Sequence, residues 1–165
     1  MNRKVVWNAC YGGFSLSPLA IKMIYERKHP GEKIYFYVQT GYGFDRADRM
    51  DVFEKIENPE ERTDAGGHDI YCSPKDFGDK VIIPHPKRYE VCEETELYQV
   101  CIYSHWELER HDPDLVAVVE ELGSKRSSGM CAELKVKDIG DSSYHIDEYD
   151  GFETVVTSLG DNYWK

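Results

Sequence analysis

The sequence predicts an α+β or α/β fold, with a mixed β-sheet, two principal helices and a long loop-rich insertion. Two helical patterns have well-marked ends, one at Pro18 to about Lys28 and one from Pro113 toward Gly123. Around them lie short runs of β-branched and aromatic residues, such as Val5-Val6-Trp7 and Lys33 to Gln39. Between Thr40 and Asp79 the composition turns polar and is punctuated by Gly41, Gly43, Pro59, Gly66, Gly67 and Pro74.

The first strand is expected at Val5, Val6 and Trp7, leaving through Tyr11-Gly12-Gly13-Phe14 into a helix. Ser17 is placed to cap free amides, Pro18 fits the first helical position, and Leu16 and Ile21 have the spacing of a hydrophobic staple. Ala20, Ile21, Met23 and Ile24 supply the apolar stripe, and His29-Pro30-Gly31 stops the helix. Lys33 to Gln39 then reads as a strand. If it lies parallel to the first, the helix between them makes a right-handed βαβ crossover.

Residues 41–80 read as an insertion or lid within a single compact domain of residues 1–165. A short helix is expected at Arg49 to Ile56, on the spacing of Met50, Phe53 and Ile56, with loops around it. Lys80 to Ile83 and Glu96 to Tyr103 read as strands. The second helix starts at Asp112-Pro113-Asp114, which combines a cap, a first-turn proline and an acid at the positive end of the dipole. Leu115, Val116, Val119 and Leu122 form its stripe and Gly123 is placed to end it. Ala132 to Ile139 alternates as a half-buried strand. Tyr144 to Tyr149 is expected to pair with it in an antiparallel hairpin, and Phe152 to Val156 forms a terminal element of open type.

The 165 residues suffice for a buried core, and 41% hydrophobic residues argue against wholesale disorder. Twenty Lys and Arg against 31 Asp and Glu give a net charge of -11. That field repels phosphate backbones and anionic membranes, while a basic protein partner is compatible with it. The five cysteines are scattered and odd in number, and the sequence shows no signal, membrane-spanning or lipidation pattern. Reduced thiols and a cytoplasmic location are the expectation.

Two clusters stand out as ligand-binding candidates. The first is Cys10, Tyr11, Gly12, Gly13, Ser15 and Ser17, where a glycine turn before a helix can present amides to an anion. It has neither the phosphate-loop order nor the dinucleotide fingerprint, so an ordinary capped turn stands beside that reading. Cys10 has nucleophilic potential there, with His105, His111 or His145 as a base. The second cluster is Asp147, Tyr149 and Asp150, suited to a cation or a basic partner, with a solvated turn as its plain alternative. Tyr11, Tyr35, Tyr37, Tyr42, Tyr144 and Tyr149 can also line a groove for a planar ligand or belong to a core and its edge. His85, Cys92, His105, His111, Cys131 and His145 lack the short paired spacing of a metal site, and no metal or cofactor is indicated.

With these blocks laid out, the chain resembles a family of small phage and bacterial proteins of unknown function. The resemblance rests on residues 10–17 (CYGGFSLS), 112–123 (DPDLVAVVEELG), 132–136 (AELKV) and 146–151 (IDEYDG). The family pattern often has an Arg before its Asp-Pro pair, whereas here His111 holds that place and Arg110 precedes it. Residues 41–80 look expanded relative to the family pattern. The resemblance implies a phage-like accessory protein acting in a host cytoplasm, and it carries no mechanism. Because no constellation specifies a reaction, the leading expectation is a noncatalytic binder of a host protein or small ligand. The alternatives are a small hydrolase or transferase acting on a phosphorylated or nucleotide-like substrate, and a structural or homo-oligomeric module.

Overall fold

Arg3–Asn8 forms the first strand, β1, and its partner comes from the far end of the chain. The computed structural model describes residues 3–61, 70–85, 96–100 and 108–158. Within them follow α1 (Pro18–Lys28), β2 (Tyr35–Gly41), β3 (Met50–Ile56), β4 (Ile70–Ser73), β5 (Lys80–Pro84) and β6 (Tyr98–Gln99). After these come α2 (Pro113–Ser127), β7 (Leu134–Gly140), β8 (Tyr144–Tyr149) and β9 (Phe152–Thr157). The architecture is α+β, and every strand pair among the described residues is antiparallel. The chain divides into two compact units, one of Met1–Lys28 with Ser104–Lys165 and one of His29–Tyr103.

In the first unit β1 pairs with β7, setting Val6 opposite Val136 and Asn8 opposite Leu134, while β8 and β9 form a hairpin. Val5, Ile139 and Val155 make a buried cluster that Trp7, Tyr144 and Ile146 pack against. The two helices run antiparallel, because each end of one meets the opposite end of the other. Ser17 at the start of α1 donates its amide to the Ser127 carbonyl and its hydroxyl to the Arg126 carbonyl. At the other end Lys28 Nζ lies 2.6 Å from Asp112 Oδ2 and 3.1 Å from Asp114 Oδ2. A cation thus sits at the negative end of α1 and carboxylates at the positive end of α2.

The caps expected from sequence are formed. Ser17 Oγ accepts the Ala20 amide at 3.1 Å, and Asp112 Oδ1 accepts the amides of Asp114 and Leu115 at 2.9 and 3.0 Å. Gly123, at φ 77°, interrupts α2, and one further turn follows it.

The second unit is a five-stranded antiparallel sheet in the order β5-β3-β2-β4-β6. Tyr37, Phe53 and Leu97 form its buried cluster, flanked by Tyr35, Tyr71, Phe77, Val81 and Ile83. The Tyr37 hydroxyl accepts the Phe77 amide at 2.8 Å, and burial pushes its pKa up.

Several sequence expectations give way here. The parallel βαβ crossover does not form, since β1 and β2 belong to different sheets. Residues 50–56 are a strand rather than a helix, because Asp51, Val52 and Phe53 are all buried and a strand covered on both faces hides its period of two. Ile70–Ser73 is a strand in a stretch expected to be loop. Strand pairing at Glu96 to Tyr103 is limited to Tyr98–Gln99, with Val100 already helical and residues 101–103 outside the described residues. Tyr144–Tyr149 pairs with Phe152–Thr157 instead of the preceding strand, because Asp150-Gly151 supplies the two positive-φ positions of a tight two-residue hairpin turn.

Candidate functional site

The two clusters singled out in the sequence meet in the first unit. Asn8, at the end of β1 and fully buried, makes the junction. Its Nδ2 donates to the carbonyls of Cys10 at 2.7 Å and Gly151 at 2.8 Å. Its Oδ1 accepts the Glu133 amide at 2.9 Å, and its backbone amide donates to Glu153 Oε1 at 2.8 Å. Every polar group of the side chain is used, which is what allows a primary amide to sit in a core.

The hairpin turn that Asn8 holds has positive φ at both central residues, 52° at Asp150 and 87° at Gly151, as a type I′ turn requires. A Cβ on Gly151 would come within 2.5 Å of the Gly13 nitrogen and the Tyr11 oxygen, so the hairpin turn lies directly on the glycine turn. Gly12 is likewise pressed on Cys131, where a Cβ would overlap the carbonyl oxygen, and Gly129 is pressed on Ser15. The glycines of this region bring three backbone segments together.

Beneath the turns lies a charged clamp. Glu153 is 5% exposed and accepts from both terminal guanidinium nitrogens of Arg110, at 2.5 and 2.8 Å. The Arg110 guanidinium carbon stacks 3.6 Å from the centroid of the buried Phe14 ring. This Arg directly precedes His111, and the structure gives it a supporting role under the glycine turn.

On the outside, aromatic rings collect around the junction. Tyr11, 64% exposed, packs on Phe152 with centroids 5.3 Å apart, and Trp7 meets Phe152 edge-on at 6.4 Å. Tyr149 is the cross-strand partner of Phe152, so the two share a face of the hairpin, and it is 79% exposed. Asp147 lies on that same face and is exposed, with His145 Nε2 at 3.3 Å. Glu148 points to the other face and accepts the Gly151 amide at 3.1 Å.

The sequence-predicted residues therefore sort by place. Tyr11 and Gly13 meet the Asp150-Gly151 turn, Cys10 shares the Asn8 side-chain amide with Gly151, Gly12 lies on Cys131, and Tyr149 and Asp147 share a face of the hairpin. Ser15 and Ser17 run along residues 126–129 instead, with Ser15 accepting the Gly129 amide and Ser17 committed to its cap and to α2. His111 is held by the Tyr144 hydroxyl at 2.7 Å and by Glu109 at 2.9 Å. Among the described residues Cys10 forms no hydrogen bond with His111 or His145, and no group of three His, Cys, Asp or Glu could hold a metal ion. Cys10 and Cys131 are free thiols, while Cys92, Cys101 and His105 lie outside the described residues. No helix among the described residues is long and apolar enough to cross a membrane.

Asn8, Arg110, Phe152 and Glu153 were not among the sequence candidates. Asn8 follows one strand run at its end and Glu153 interrupts another, and a polar residue at an inward position was the one available signal. No family model matches this chain, nor does any curated protein or solved structure.

Proposed function

We propose that the first unit is a noncatalytic recognition module that binds a protein segment carrying basic and apolar side chains. The observation that carries this reading is the aromatic face formed by the exposed Tyr11 and Tyr149 around the half-buried Phe152, mounted on two interlocked turns. Aromatic rings supply large contact area at small cost in side-chain entropy, and a rigid base lowers that cost further. The acidic complement follows from Asp147 and Asp150 beside the rings and from the net charge of -11. Such a field speeds encounter with a basic segment and disfavours acidic ones. The resemblance to phage proteins makes a host protein the natural source of that segment.

A phosphate-binding enzyme draws less support from the same geometry. The amide and hydroxyl of Ser17 are already spent inside the chain, and the glycine turn is covered on one side by Gly151 and on another by Cys131. Panning a random peptide display library on the protein, with a Tyr11→Ser/Tyr149→Ser variant as the counter-selection, tests the proposal. Enrichment of peptides in which Lys or Arg alternates with apolar residues supports it. Equal enrichment on the variant contradicts it.

A further inference from the structure

The second unit contains a paired carboxylate and imidazole that the recognition surface does not use. Strand β3 carries Asp51 among apolar neighbours, and the residue is only 4% exposed. Its Oδ1 accepts the Gly43 amide at 2.6 Å. Both of its oxygens lie 3.1 Å from Nδ1 of His85, which follows β5. The His85 amide donates to the Arg49 carbonyl at 2.7 Å, which prolongs the β3–β5 ladder by one residue and fixes the backbone under the ring. Arg49 takes φ 52°, an uncommon conformation for a residue with a Cβ. Gly43 closes the arrangement, since a Cβ there would overlap that of His85.

This geometry defines the imidazole chemically. A buried carboxylate opposite Nδ1 favours the tautomer with its proton on that nitrogen, which leaves a lone pair on Nε2. Among the described residues Nε2 has no hydrogen-bond partner, and a third of the side chain is exposed. Beside it stands the Phe44 ring, 65% exposed and edge-on to His85 at 5.9 Å, with Tyr42 5.6 Å beyond. The arrangement therefore leaves Nε2 open to solvent next to an exposed ring.

We propose that His85 is an acid–base residue acting on small esters or acyl compounds whose apolar part lies on Phe44, with Asp51 as its positioning residue. As Nε2 takes a proton from water, the water oxygen forms a bond to the acyl carbon. Collapse of the tetrahedral species breaks the bond to the leaving oxygen, which departs with its electron pair, and His85 returns the proton to solvent or to that oxygen. The remaining proton leaves when the product acid ionises. This step is independent of the surface on the first unit.

The probe is p-nitrophenyl acetate, used with the whole chain. The wild type should hydrolyse it at least about tenfold faster than an equal concentration of N-acetylhistidine amide, and His85→Gln should lose that excess. Asp51→Asn keeps an acceptor for the Gly43 amide but turns a donor toward Nδ1. It should lose most of the rate and move the His85 proton to Nε2 in the imidazole nitrogen NMR shifts. Phe44→Ala should raise KM more than it lowers kcat. Full activity in folded His85→Gln overturns the proposal. If that variant does not fold, unchanged hydrolysis in Asp51→Asn, or wild-type hydrolysis no faster than the free histidine derivative, overturns it instead.

Discussion

The side-chain amide of Asn8 donates to the carbonyl of Gly151 over 2.8 Å, joining positions 143 residues apart in the chain. That bond fastens the β8–β9 turn to the glycine turn, and the aromatic face stands on the result. Asn8→Asp replaces a two-proton donor with an acceptor facing the carbonyls of Cys10 and Gly151. A loss of about 3 kcal/mol or more is expected in urea unfolding, because two buried acceptors lose their partner and meet a charge. Asn8→Ala should cost less than Asn8→Asp, and the reverse order would show that the amide protons do not hold the junction.

Gly151→Ala should destabilise by about 2 kcal/mol or more, through the positive φ and the overlap with Gly13 and Tyr11. Gly31→Ala serves as the control, since it shares the positive φ but has open space where a Cβ would go. Thermal melts of the two variants separate backbone conformation from close packing, and equal losses would mean that the turn contact is unimportant.

Arg110 and Glu153 should behave as a unit. Glu153→Gln leaves the guanidinium over Phe14 without its counter-charge, and Arg110→Met leaves a buried carboxylate unpaired. Each single change is expected to cost about 3 kcal/mol or more, and the double variant less than the sum, because removing both charges also removes their desolvation cost. Additive losses in a double-mutant cycle would contradict coupling.

The helix pair predicts a pH dependence. Burial alone would raise the Asp112 pKa, but the Lys28 ammonium and the amides of Leu115 and Asp114 outweigh it and hold the carboxyl below its usual range. A depressed carboxyl contributes stability that is complete above its unfolded value, about 3.9, and is lost as pH falls through the folded one. Burial lowers the Lys28 pKa in turn, and its hydrogen bonds to Asp112 and Asp114 outweigh that to give a net rise. Its share is complete below the unfolded value, about 10.4, and is lost as pH rises through the folded one. Asp112→Asn, which keeps a capping oxygen, should therefore be less stable than wild type near neutrality, with the gap closing below about pH 4. A gap that stays constant in acid would assign the effect to packing.

The helices were legible because their ends are chemical and local. Ser17-Pro18 and Asp112-Pro113 mark starts whose hydrogen bonds close within four residues, and His29-Pro30-Gly31 marks a stop. Strand pairing depends on distant residues, so the partnership of β1 with β7 left no local trace. Residues 50–56 show a related failure, in which burial on both faces made Met50, Phe53 and Ile56 look like one side of a helix. Asp150-Gly151 was the strongest hairpin signal in the chain, and the competing turn at Asp138–Asp141 obscured it.

Both halves of the candidate site were visible as clusters, at Cys10–Gly13 and Asp147–Asp150. Their meeting was not, because Asn8 reads from sequence as an ordinary strand end. The Asp51–His85 pair was hidden because its members are 34 residues apart, one on β3 and the other just past the end of the neighbouring β5.

The most direct measurement is amide NMR shift mapping of the ¹⁵N-labelled protein titrated with a peptide alternating lysine and aromatic residues. Saturable shifts are expected at Tyr11–Gly13, Tyr149–Phe152 and the Trp7 indole, and they should vanish in Tyr11→Ser/Tyr149→Ser. Saturable shifts confined to other surfaces, or none at all, would contradict recognition at the aromatic face.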